Sequence, residues 1–163
     1  MRIREAQKRD LPAVTDIYNE VLRTSTAIYR DEETTLEERI QWWTSQQQKG
    51  YPLLIAEEET GVLGFASYGD FRSWPGYRFT VEGSIHLRPD SRGHGIGTML
   101  FQHLIDHARE AGKHLLIAGI DAENVPSRRL IEKFGGEQAA HLKEVGFKFG
   151  RYLDLLLYQV RLS

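Results

Sequence analysis

The segment Arg92-Gly93-His94-Gly95-Ile96-Gly97 constrains this chain more than any other. It follows an apolar run that reads as a strand, Phe79 to Leu87. It precedes a helical repeat of Ile96, Leu100, Leu104, Ala108 and Ala111 that Gly112 closes. Glycines let backbone N–H groups approach an anion closely, and a helix start adds partial positive charge. Such a junction suits a phosphate. A Rossmann fingerprint fails here, because from Gly93 its third glycine falls on Thr98. A P-loop fails too, because the segment has no Gly-Lys-Ser/Thr. The pattern [QR]-x-x-G-x-[GA] is met in full by Arg92, Gly95 and Gly97. A glycine-rich turn without a ligand is the plain alternative.

The 163 residues suit one domain, residues 1–163, large enough to bury a core unaided. Without cysteine there is no disulfide scaffold, thiolate metal site or Cys nucleophile. With 21 basic and 23 acidic residues the net charge is −2, which argues against a dedicated nucleic-acid binder. No apolar run is long enough to span a bilayer, and the opening MRIREAQKRD has no apolar core of a secretory leader. The expectation is a cytoplasmic globular protein.

The rest of the chain alternates helical and strand patterns. A short strand around Ile3 leads to Asp10, a candidate helix cap, with Pro12 in the first turn. Thr35 and Glu38 form a capping box for a second helix that Gly50 ends. Pro52 to Glu57 and Val62 to Tyr68 read as a hairpin. Leu115 to Ile120 reads as a buried strand, Pro126 to Phe134 as a helix and Tyr152 to Leu162 as a strand. This order predicts a mixed sheet flanked by helices.

These motifs, in this order, resemble the GCN5-related N-acetyltransferase (GNAT) superfamily. The resemblance rests on Thr80 to Pro89, the glycine loop and Asn124-Val125-Pro126-Ser127, and it covers nearly the whole chain. The chain is most similar to the branch acting on phosphinothricin, methionine sulfoximine and methionine sulfone. The segments that carry this are Thr24 to Tyr29, Gly50 to Pro52, Gly69 to Arg72, Tyr77 to Glu82 and Val145 to Asp154. The resemblance implies an α/β (α+β) fold with a mostly antiparallel mixed sheet and about four helices. It also implies acetyl-CoA as co-substrate, with no metal.

The resemblance implies roles as well. Ile85, His86 and Leu87 offer backbone groups to the pantetheine arm. Arg92, Gly93, His94, Gly95, Ile96, Gly97 and Thr98 hold the pyrophosphate. Asn124 contacts the cofactor arm and Lys133 a phosphate. Glu82 is the candidate general base, since an ammonium acceptor must lose a proton before attacking a thioester. Arg72 and Arg78 are candidates for clamping a substrate carboxylate. Tyr29 is a candidate pocket wall, and Thr80 and Phe149 are further candidate substrate contacts. Val145 to Asp154 is the matching segment for a homodimer in which the partner completes the pocket; an ordinary hairpin is the alternative.

The chain departs from the family pattern at three points. Ile131 stands where the family has a Tyr or His, so the thiol departs as a thiolate unless His86 or Tyr158 assists. Gly83 replaces a His, which is expected to enlarge or rewire the pocket floor. Gly136 replaces an aromatic residue. His103 and His107 share a helix face, but they read as partly buried rather than as metal ligands. Lys148, Arg151 and Arg128-Arg129 read as solvated or phosphate-facing charges, and Trp42-Trp43 as core plus interface. The expected function is acetylation of the primary amine of a small amino acid or analogue. The alternatives are another small amine, a protein N-terminus, or an acyl-CoA-binding module without catalysis.

Overall fold

A computed structural model describes residues 1–163. The elements in chain order are β1 (Arg2–Glu5), α1 (Leu11–Thr24), α2 (Leu36–Gln48), β2 (Leu53–Glu58), β3 (Gly61–Asp70) and β4 (Thr80–Leu87). After these come α3 (Ile96–Glu110), β5 (Leu115–Asp121), α4 (Val125–Lys133), β6 (Glu137–Lys148) and β7 (Arg151–Arg161). One seven-stranded sheet runs in the order β1-β2-β3-β4-β5-β7-β6. Every neighbouring pair is antiparallel except β4 and β5. Those two are joined through α3, as a parallel pair requires a crossover.

The helices cover both faces, and the strand period of two sorts the side chains between them. Leu53 and Ile55 of β2 join Leu11, Val14, Ile17, Val21 and Phe65 under α1. Leu54 and Ala56 join the larger core with Leu100, Leu104, Leu116 and Ile131 under α3 and α4. No helix is long and apolar enough to cross a membrane.

Local signals mostly hold, with different bonding. Thr35 accepts from the Glu38 amide at 3.1 Å. The Glu38 carboxylate turns instead to Thr34 Oγ1 at 2.9 Å and Arg30 at 3.1 Å, so the capping box is not reciprocal. Asp10 precedes α1 but does not cap it with its side chain. Its carboxylate binds the Arg4 guanidinium at 2.8 and 2.9 Å and the Gln7 amide at 2.7 Å.

Lys148 corrects a sequence expectation. It is only 2% exposed, not solvated. Its ammonium donates to three carbonyls: Leu22 at 2.6 Å, Ser25 at 3.0 Å and Ile28 at 2.6 Å. The end of β6 thereby holds the chain that leaves α1. Arg151 pairs with Glu123 at 2.8 Å, and Arg128 donates to the Ala122 carbonyl and Tyr158 Oη, both at 3.3 Å.

Candidate active site

The site is built where β4 and β5 part. They pair only at Thr80–Leu115, Val81–Leu116 and Glu82–Ile117. Beyond Glu82, β4 stays bonded to β3 as far as Leu87, and β5 stays bonded to β7 as far as Asp121. The backbone groups of Gly83 to Leu87 that point toward β5 therefore face a cleft rather than a neighbouring strand. This cleft, about 100 Å³, is lined by Gly83 to His86, Ala118 to Asp121, Asn124, Ser127 and Ile131 among others.

At the open end of β4 lies the glycine loop. Gly93 and Gly95 have φ near +80°, in the left-handed region, and a Cβ at either position would meet nothing within 4 Å. The amides of residues 93 to 95 donate to no protein acceptor. Gly95 precedes α3 without a side-chain cap, so the first α3 amides are also free of capping side chains. Gly97 differs: it is helical, and a Cβ there would sit 3.6 Å from Leu130 and 3.7 Å from Leu87, ordinary contacts that alanine can make. Ile96 is buried in the core, Thr98 is half-buried in the first turn of α3, and Arg92 and His94 are exposed. Asn124 caps α4 by accepting from the Ser127 amide at 3.3 Å, which leaves its amide nitrogen without a protein partner. Lys133 lies in the last turn of α4, outside the cleft.

On the other side of β4 a larger cavity, about 340 Å³, lies between the sheet and the first two helices. The strand period brings Glu82, Ser84 and His86 to its floor together. Ser67 and Gly69 of β3 join them, with Tyr18 of α1 and Arg39, Trp42 and Gln46 of α2 as the wall. The two cavities share Gly83, Ser84, His86 and Gly119. A molecule in the cleft and one in the larger cavity would meet across these four residues.

The electrostatics of this floor are uneven. Protein atoms crowd the Glu82 carboxylate and raise its pKa above the usual glutamate value, while the Arg72 guanidinium opposes the shift. Burial holds His86 down, to about 4, with Arg39 and Arg92 adding to the effect. The imidazole is therefore neutral near pH 7. Its ring packs against Phe65 at 5.4 Å and Tyr18 at 6.0 Å between centroids.

Several expected site residues lie elsewhere. Tyr29 lines neither cavity. Its hydroxyl donates to Asp121 Oδ1 at 2.7 Å and lies 3.1 Å from the Asp154 carbonyl, fixing the chain after α1 to β5 and β7. Burial, with the Asp121 bond, raises its pKa. Thr80 sits below the cavity in the paired part of β4. Arg72 is exposed, its guanidinium 5.1 Å from the Phe71 ring. Arg78 donates to the Pro75 carbonyl at 3.0 Å and covers the Phe79 ring. Phe149 lies at the β6–β7 turn, 57% exposed, and lines neither cavity of its own chain.

Gly83 does not enlarge the pocket. A Cβ there would point to the opposite face, 3.3 Å from Leu104 and Leu116. Tyr158 is not free to act at the cleft, because its hydroxyl donates to Glu132 at 3.0 Å and accepts from Arg128. The two helical histidines separate: His107 Nδ1 lies 2.7 Å from Tyr68 Oη, and His103 Nδ1 2.9 Å from the Met99 carbonyl. Trp42 is part of the cavity wall. Sequence reasoning missed Arg39, Tyr18 and Gln46. The available signal was the α2 face Arg39, Trp42 and Gln46, at i, i+3 and i+7, which carries polar groups where a core helix carries aliphatic ones.

A mixed sheet that opens between two parallel strands, with a glycine loop of unpaired amides at the mouth, is the architecture of an acyl-CoA-dependent acyltransferase. The chain belongs to the GNAT family: the Acetyltransferase (GNAT) domain matches residues 1–137. It is 43% identical over 163 residues to an L-methionine sulfoximine/L-methionine sulfone acetyltransferase of Salmonella typhimurium, covering 100% of this chain and 95% of the relative. It is 35% identical over 162 residues to a phosphinothricin N-acetyltransferase of Streptomyces coelicolor, covering 98% and 95%. An acetyltransferase of Salmonella typhimurium, solved with its cofactor acetyl-CoA, superposes with a TM-score of 0.98 at 43% identity. That match covers 100% of this chain and 94% of the other.

Proposed function

We propose that this chain transfers an acetyl group from acetyl-CoA to the primary amine of a small amino acid or analogue, of the methionine sulfone, methionine sulfoximine or phosphinothricin type. The observation that carries the reading is Glu82, a carboxylate on the floor of one cavity at the point where that cavity opens to the β4–β5 cleft. The names of the relatives supply the acceptor class.

Bound acetyl-CoA supplies the activated acyl group. The chain supplies the rest. The amides of residues 93–98 and the Arg92 guanidinium bind phosphate oxygens, and Lys133 offers a further charge. Backbone groups of Ile85, His86 and Leu87, with the Asn124 amide nitrogen, hold the arm in the cleft. Glu82 accepts the proton of the incoming ammonium, directly or through water, and its raised pKa makes it a better base for that step. Ile131 has no proton to give. A thiol of pKa about 8.5 departs as a thiolate with modest penalty. Arg72 and Arg78 line neither cavity; Arg72, whose charge acts on the Glu82 carboxylate, is the stronger of the two candidate carboxylate contacts.

The reading extends to a cytoplasmic homodimer. Val145, Phe147, Phe149 and Tyr152 expose large apolar surface along the β6–β7 hairpin, a composition suited to an interface core. Phe149 would then serve the partner's pocket. Light scattering should give twice 18.8 kDa, and mixing Arg72→Ala with Phe149→Ala subunits should restore part of the activity. A monomer at full activity overturns this part.

The direct test of function is thiol release from acetyl-CoA with a panel of amines including methionine sulfone, methionine sulfoximine and phosphinothricin. Release that depends on one of these amines is the expected result. Binding of acetyl-CoA without release for any amine would favour the non-catalytic module.

A further inference from the structure

Arg39 is a cation without a partner in the wall of the larger cavity. Its Nε is the one buried side-chain nitrogen or oxygen in the protein that has no hydrogen-bond partner. Its guanidinium carbon lies 4.6 Å from the Tyr18 ring centroid and 4.8 Å from that of Trp42, so two aromatic rings fix the plane of the fork. The nearest acid on its own helix, Glu38, is committed to Thr34 and Arg30. Gln46 is bonded to the Tyr68 carbonyl at 2.7 Å. His86 is neutral. Folded proteins seldom leave a buried charged donor unpaired, and when they do an absent partner is the usual reason.

We propose that Arg39 anchors an oxyanion of the acceptor, either its carboxylate or the oxygens of an oxidised side chain. The inference rests on the acetyltransferase reading above. The cavity then presents complementary groups to a zwitterion: Glu82 toward the ammonium and Arg39 toward the oxyanion. The planar fork matches a two-oxygen acceptor in a way that lysine does not. Arg72 stands exposed, where water screens its charge, so Arg39 provides the desolvated contact.

The experiment is steady-state thiol release at saturating acetyl-CoA with wild type, Arg39→Gln and Arg39→Lys, each checked by thermal unfolding. The acceptors are L-methionine sulfone, its primary amide and L-methionine. Arg39→Gln should raise the KM for methionine sulfone on the order of 10- to 100-fold, with a much smaller change in kcat, and Arg39→Lys should recover part of it. If the carboxylate is the oxyanion, methionine shows the same KM rise and the amide does not. If the side-chain oxygens are, the amide shows it and methionine does not. Either pattern supports the anchor. Equal effects on all three acceptors, or none, overturn it. Should Arg39→Gln fail to fold, the same discrimination read in Arg39→Lys decides the question. A wild type that acetylates none of these amines overturns the acetyltransferase reading and this inference together; a working wild type with indiscriminate variants overturns the inference alone.

Discussion

Glu82 leans over Gly119: a Cβ built at residue 119 would stand 3.5 Å from Glu82 Oε1. The small size of residue 119 on β5 therefore leaves the carboxylate of β4 its place beside the cleft. A methyl group fits at ordinary contact distance, whereas a branched side chain occupies the carboxylate's position. Gly119→Ala should keep kcat within a few-fold of wild type. Gly119→Val should lower it by about 10-fold or more, with thermal stability changed by no more than about 1 kcal/mol, the usual scale of a surface or cleft substitution. Equal kcat values for the two variants would separate Gly119 from the placement of Glu82.

The glycine loop offers a contrast between neighbours. Gly95 has φ +79° with open space around it, while Gly97 is helical and makes ordinary contacts. Gly95→Asp puts negative charge where phosphate oxygens approach and should weaken acetyl-CoA binding severely in calorimetry. Gly97→Ala should bind within a few-fold of wild type. Unchanged affinity in Gly95→Asp would remove the loop from the cofactor site.

Lys148 links β6 to the chain following α1. Lys148→Met leaves the Leu22, Ser25 and Ile28 carbonyls without their donor. Unpaired groups of this kind cost about 1–3 kcal/mol each, less where water reaches them. The expected loss is ~2–4 kcal/mol in all, or roughly 5–15 °C in Tm for a chain of this size. Hydrogen exchange should rise first in residues 22–29. A Tm within 1 or 2 °C of wild type would contradict this account.

Stability at low pH is tied to Arg4. The Arg4 guanidinium, and Arg2 after it, holds Glu57 at about 2, and the bonds from Arg4 hold Asp10 below the usual range. Both carboxyls bind fewer protons in the folded state than in the unfolded chain, so stability rises with pH across this window. The contribution is complete above the unfolded values near 4–4.5 and is lost as pH falls toward 2. Denaturant titrations from pH 5 to pH 2 should show a steeper decline in wild type than in Arg4→Met. Parallel curves would show that the cluster does not titrate with folding.

Much of this fold could be read from local pattern. The hairpin around Gly61, the helix closed by Gly112 and the glycine loop are each set by neighbouring residues. Glu82, Ser84 and His86 share a face because a strand alternates, and that too is visible in sequence. Lys148 was not readable, because its partners lie 120 to 126 residues away and a lysine between two exposed phenylalanines reads as solvated. Arg39 is legible only in part: the polar face it shares with Trp42 and Gln46 is in the sequence, but Tyr18, His86 and the cavity are assembled only by packing. The segment around Tyr29 points to the pocket, whereas the Tyr29 hydroxyl is spent on Asp121. Asp121 falls at the end of β5, and that pairing depends on the whole α1–α2 connection.

The pH dependence of kcat for wild type and Glu82→Gln, with L-methionine sulfone at saturation, tests the central claim most directly. A base must be deprotonated to act, and crowding raises the Glu82 pKa, so wild type should lose activity as pH falls through a value above that of an ordinary glutamate. Glu82→Gln should be slower by about 10²–10⁴-fold near neutral pH, should lose that acid limb, and should bind acetyl-CoA as wild type does. A variant within a few-fold of wild type, with the acid limb intact, would contradict the account.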